Sequence, residues 1–146
     1  MPKRNLKFSN YLSYHVYNRG VSKIKIFDNT CDLNRFVRKT KYYSVKFNIK
    51  VHSYAVMKNH YHLLISGENI PIFLQSLQQS HSNYFNHKYQ HKGCVFESRY
   101  KAKNASKVDY FIEIQRYIKK NPIDTKFVKS EFGVAGTTTA GLTERP

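Results

Sequence analysis

Residues 51–66 read VHSYAVMKNHYHLLIS, and this stretch decides the fold. Ile49 to Met57 alternates in the manner of a strand, Lys58-Asn59 makes a tight connection, and His60 to Ser66 returns as a second strand. The two form a hairpin. Side chains on a strand alternate faces, so His60 and His62 share one face, about 7 Å apart along the backbone, at the turn end. Tyr61, between them, faces the opposite side and belongs to the core. Two imidazoles so placed can grip one cation, although two ligands alone do not make a metal site.

The chain around this hairpin reads as a single domain. Leu12 to Arg19, LSYHVYNR, is a strand closed by Gly20. Asp28-Asn29-Thr30 offers cap residues for a helix whose apolar face carries Leu33, Phe36, Val37, Tyr43 and Phe47. A second, longer helix starts near Pro71, runs to about His91 and carries Phe73, Leu74, Leu77, Tyr84 and Phe85. His81, His87 and His91 read as surface residues of this helix, while His15 and His52 lie on strands as core or surface groups. Cys94 to Lys103 reads as a fourth strand.

The order strand, helix, strand, strand, helix, strand predicts an α+β, ferredoxin-like domain, with a four- to five-stranded antiparallel sheet and helices on one face. A last helix is expected from Ser106 to Lys120, with Pro122 preventing its continuation. At about 100° per residue, Tyr110, Tyr117 and Asn121 fall together on a flank away from its apolar stripe. The domain spans residues 1–132, and GVAGTTTAGLTERP at 133–146 reads as a flexible tail.

Composition narrows the partners. Lysine and arginine number 25 against 9 acidic residues, a formal charge of +16. Such an excess repels itself in the compact state, which points to a polyanionic partner, nucleic acid first. Twelve tyrosines and ten phenylalanines interleaved with these cations suit single-stranded bases and phosphates. The two cysteines, Cys31 and Cys94, have no CxxC partner, which argues for a reducing setting and against a zinc ribbon or finger; no disulfide framework is required, and both read as buried thiols. With neither a signal-peptide pattern nor a membrane-length apolar run, the expected setting is cytoplasmic, at the bacterial nucleoid.

Five blocks occur together and in order: YHVYNRG at 14–20, YAVMKNHYHLLI at 54–65, YFNHKY at 84–89, VFESRYKA at 95–102 and RYIKKNP at 116–122. Together they resemble the single-tyrosine HUH transposases of small, IS200-like insertion sequences, especially the REP-associated tyrosine transposases. The resemblance implies a DNA strand transferase acting on single-stranded or hairpin DNA through a 5′-phosphotyrosine. It makes His60 and His62 ligands of Mg²⁺ or Mn²⁺, Tyr117 the nucleophile on the late helix, and Asn121 the third polar ligand. Tyr110 is the rival nucleophile, and Asn121 has the alternative role of a helix cap.

Arg19, Arg99, Lys101 and Lys103, beside the motif strands, are expected at DNA phosphates. Both monomers and homodimers occur among the relatives, and a homodimer is the expectation here. The competing class is a non-catalytic binding module with an RRM-like sheet, which has no use for an HxH at a hairpin turn.

Overall fold

The computed structural model describes residues 7–9, 11–105, 112, 113 and 116, together with the backbone of 125–129. Its elements are β1 (Ser13–Arg19), α1 (Thr30–Lys46), β2 (Lys50–Met57), β3 (His60–Ser66), α2 (Ile70–Tyr89), β4 (Lys101–Asn104) and β5 (Thr125–Lys129). The strands form one antiparallel sheet in the order β4-β1-β3-β2-β5. Its first four strands have the ferredoxin-like order, so the predicted fold class is the observed one. Residues 112, 113 and 116 are helical; Tyr117, Asn121 and the 133–146 tail lie outside the described residues.

Alternation along the strands sorts the sheet into two faces. Tyr14 and Val16 of β1, Tyr54 and Val56 of β2, and Tyr61, Leu63 and Ile65 of β3 pack into one core with Leu33, Phe36 and Val37 of α1 and Phe73, Leu74 and Leu77 of α2. Tyr61 is fully buried on this side: its ring lies 5.1 Å from Phe36 and its hydroxyl donates to Gln78 Oε1. The other face receives His15, Tyr17 and Arg19 of β1 and His60, His62 and Leu64 of β3. Anchoring Tyr61, Leu63 and Ile65 among the helices therefore directs both hairpin imidazoles to the opposite surface.

The helices begin where local chemistry permits. Asn29 caps α1 by accepting the Asp32 amide at 3.1 Å, and Pro71 occupies the first turn of α2. Asp32 is fully buried and ties the two helices together, accepting from Lys88 Nζ at 2.8 Å and from the Tyr84 and Tyr89 hydroxyls. Burial alone would raise its pKa, but these three donors outweigh the desolvation and hold the carboxylate ionised below its ordinary range.

The structure departs from the sequence pattern in several places. Residues 94–100 are irregular and only 101–104 form β4, because Val95, Phe96 and Tyr100 enter the core from a loop that is tied to Arg19 by the Glu97 amide and bridges Gly20 at Phe96. Cys31 and Cys94 are exposed, not buried: Cys31 sits on the outer side of the first turn of α1, with Asp32 and Leu33 turned inward. The strand β5 on the β2 edge makes the sheet five-stranded, within the four to five expected, but the sequence reading assigned no residues to a fifth strand.

His81 is also misplaced as a surface residue. It is fully buried, its Nε2 donating to the Ile26 carbonyl at 2.6 Å, its ring 4.7 Å from Phe27. Desolvation lowers its pKa to about 4, below the ordinary 6.5, so the folded state resists a proton that the unfolded chain accepts. The contribution of neutral His81 to stability is complete above pH 6.5 and is lost as the pH drops toward 4, on the order of 3 kcal/mol. Urea unfolding midpoints measured between pH 7.5 and 4.5 are expected to decline, with a smaller decline in His81→Phe; equal pH slopes would refute the assignment.

Candidate functional site

The site is built on the outer face of β1 and β3, near the β2–β3 turn. Register places Tyr17 opposite His62 and Arg19 opposite His60, with Ala55 and Met57 of β2 flanking the two histidines on the far side. The rings of His60 and His62 lie 5.2 Å apart at 86° to one another. They border a cleft of about 490 Å³ whose wall includes Tyr17, Arg19, Lys23, Glu97 and Lys101.

Loop 20–27 closes one end. Gly20 donates its amide to the Asn59 carbonyl at 2.9 Å, and the Phe27 amide reaches the Lys58 carbonyl at 2.9 Å, so the loop is fastened to the hairpin turn. A Cβ at position 20 would lie 2.6 Å from the Ile24 carbonyl oxygen, so only glycine admits this reversal. Ser22 and Lys23 both adopt positive φ within it, which sets Lys23 at the cleft.

Each hairpin imidazole is oriented at Nδ1. For His60 the partner is Asn59 Oδ1 at 2.7 Å; for His62 it is His15 Nε2 at 2.9 Å. An imidazole whose Nδ1 is engaged ligates through Nε2. Protonation does not compete near neutrality: desolvation, then Arg19, lowers the pKa of His60, and desolvation followed by His15 and His60 lowers that of His62 to about 3. Neutral, oriented imidazoles on one wall of a cationic cleft can each donate a lone pair to a divalent cation, and Mg²⁺ or Mn²⁺ would need oxygen ligands for most of its shell. Among the described residues no group of three His, Cys, Asp or Glu side chains that could hold a metal ion is found.

The four predicted cations are placed unequally. Arg19 and Lys101 line the cleft. Lys103 stands opposite His15 on the neighbouring strand, and Arg99 is exposed on the loop before β4. Arg19 is committed to Glu97, with Nη2 to Oε2 at 3.1 Å and a second bond from Nε. The sequence reading missed Asn59, Lys23, Glu97 and the contact between His15 and His62. Strand alternation could have placed His15 on the face of Tyr17 and Arg19, but the pairing of β1 with β3 is not written in either strand.

Residues 8–121 match the family model described as "Transposase IS200 like". Among solved structures, a REP-associated tyrosine transposase bound to a REP hairpin superposes with a TM-score of 0.64 at 12% identity, covering 84% of this chain and 73% of the other. A candidate transposase from Deinococcus radiodurans R1 superposes with a TM-score of 0.55 at 16% identity, covering 82% of this chain and 96% of the other. No curated protein matches the sequence. Among the described residues no helix is long and apolar enough to cross a membrane.

Proposed function

Because the chain belongs to the IS200-like transposase family, we propose that it cleaves and rejoins single-stranded DNA, recognised beside a hairpin, through a covalent 5′-phosphotyrosine. The observation that carries this reading is the HxH pair: two neutral imidazoles, each held at Nδ1, beside a cleft lined by Arg19, Lys23 and Lys101. A phosphodiester repels nucleophiles, so its non-bridging oxygens must be neutralised and the attacking oxygen aligned with the leaving one.

In this reading His60 and His62 hold a Mg²⁺ or Mn²⁺ ion, with Asn121 as a third ligand. The ion, when bound, supplies Lewis-acid stabilisation of charge at the phosphate oxygens. Lys23, Lys101 and Arg19 hold the flanking phosphates, with Arg19 exchanging Glu97 for DNA. Tyr117 performs the attack: its oxygen forms a bond to phosphorus as the bond to the 3′ oxygen breaks. The phenolic proton is lost to solvent, and the departing 3′ oxygen leaves protonated as a hydroxyl.

Phenol, with a pKa near 10, leaves more readily than an alcohol. A DNA 3′-hydroxyl can therefore reverse the step and restore a phosphodiester without ATP. Exchange of tyrosine helices between two copies in a homodimer is compatible with this chemistry and is part of the proposal.

Incubation of the full chain with labelled single-stranded hairpin DNA tests the reading on denaturing gels. A protein–DNA adduct is expected with Mn²⁺ or Mg²⁺ and is expected to vanish with EDTA. Binding without any adduct in either metal would leave the RRM-like binding module as the better description.

A further inference from the structure

We propose that His15 is a positioning residue for the cation site: it accepts a hydrogen bond from His62 Nδ1–H in the tautomer whose Nε2 can ligate, and so holds the His62 ring in place for a cation. The inference rests on the reading of His60 and His62 as cation ligands. His15 belongs to β1, and its Nε2 lies 2.9 Å from His62 Nδ1. The two rings stack at 5.1 Å and 20°, and Tyr17 stacks on both, 4.9 Å from His15 and 5.7 Å from His62. Both histidines are buried, at 7% and 8% exposure, so their mutual orientation is set by packing.

One proton decides what this contact does. A neutral imidazole carries a single N–H, so the bond has two forms. If His15 donates, the His62 proton sits on Nε2 and that nitrogen cannot bind a cation. If His62 donates, its Nε2 presents a lone pair, and the His15 proton moves to Nδ1, an atom that is buried with no hydrogen-bond partner among the described residues. Ligation is compatible with the second form alone. A bound cation therefore selects that form, and in it His15 Nε2 is the acceptor that holds His62 Nδ1–H.

The choice of acceptor has a chemical consequence. Metal-bound histidines are often oriented by carboxylates, which lend negative charge to the site. Here the acceptors are neutral, Asn59 Oδ1 for His60 and His15 Nε2 for His62, so the full charge of a divalent ion is left for an anionic phosphate.

The test measures Mn²⁺ binding by titration calorimetry on the full chain and on His60→Ala, His15→Phe and His15→Gln. Phenylalanine keeps a ring against Tyr17 but removes the acceptor; glutamine returns an amide oxygen within reach. His15→Phe is expected to weaken Mn²⁺ binding about 10- to 100-fold, and His15→Gln to recover most of the loss. Unchanged affinity in His15→Phe, with His60→Ala impaired, would overturn the role of His15 and leave the cation site standing. Equal binding, or none, by the unaltered chain and His60→Ala would overturn the cation site itself.

Should His15→Phe fail to fold, nitrogen-15 spectra of the unaltered chain with Mg²⁺ decide. A protonated Nδ1 on His62 is expected, and a protonated Nε2 would refute the proposal.

Discussion

Tyr117→Phe is expected to bind hairpin DNA with the affinity of the unaltered chain and to form no covalent adduct, with a loss of at least about 10⁴-fold in cleavage and joining. The size follows from the proposed role: a phenyl ring has no oxygen to offer phosphorus. In the proposed reading affinity resides in the basic cleft wall and the rest of the cationic surface, and it is expected to survive because the substitution removes no charge. Gel-shift titration beside denaturing gels separates the two quantities. Joining at an undiminished rate would move the nucleophile elsewhere, with Tyr110 the first candidate.

The second large effect is expected at the hairpin. His60→Ala and His62→Ala should each reduce adduct formation about 10²- to 10³-fold at limiting Mn²⁺, the scale associated with losing one preorganised stabiliser of developing charge. The two should differ in a second respect. His62 lies in the stack with His15 and Tyr17 and is 8% exposed, so its removal also leaves a void and an unpaired His15; His60 is half-buried at the turn. His62→Ala is therefore expected to lower the thermal midpoint more than His60→Ala does. Full adduct yield in either variant at the same Mn²⁺ concentration would remove that histidine from the chemistry.

Much of this architecture was legible because strong patterns agreed. Alternation in residues 51–66 placed Tyr61, Leu63 and Ile65 on one face and His60 and His62 on the other, and the structure has that division. Asn29 and Pro71 marked the helix starts for reasons of local chemistry.

The misreadings have equally particular causes. His81 continues the stripe of Leu74, Leu77 and Phe85 on α2, so its spacing indicated burial, but its polarity argued for the surface; a hydrogen bond to Ile26 removes the conflict. Residues 94–100 have the composition of a strand, and Val95, Phe96 and Tyr100 are buried, but they pack as a loop. β5 lies between Pro122 and a low-complexity tail and is only five residues long, too short to announce itself.

The partners of the site were the least legible part. His15 and His62 are 47 residues apart, and nothing in either strand specifies that they meet; register does. The pairing of Arg19 with Glu97, across 78 residues, has the same origin. Asn59 was readable as a turn residue, yet its second role as the acceptor for His60 depends on a side-chain orientation that sequence does not encode.

The most direct test of the whole account is peptide mapping of the DNA adduct formed with Mn²⁺, after nuclease trimming and proteolysis. The account predicts a nucleotide joined through its 5′ phosphate to the tyrosine at position 117. A nucleotide on Tyr110 or any other side chain, or a linkage through a 3′ phosphate, would contradict it.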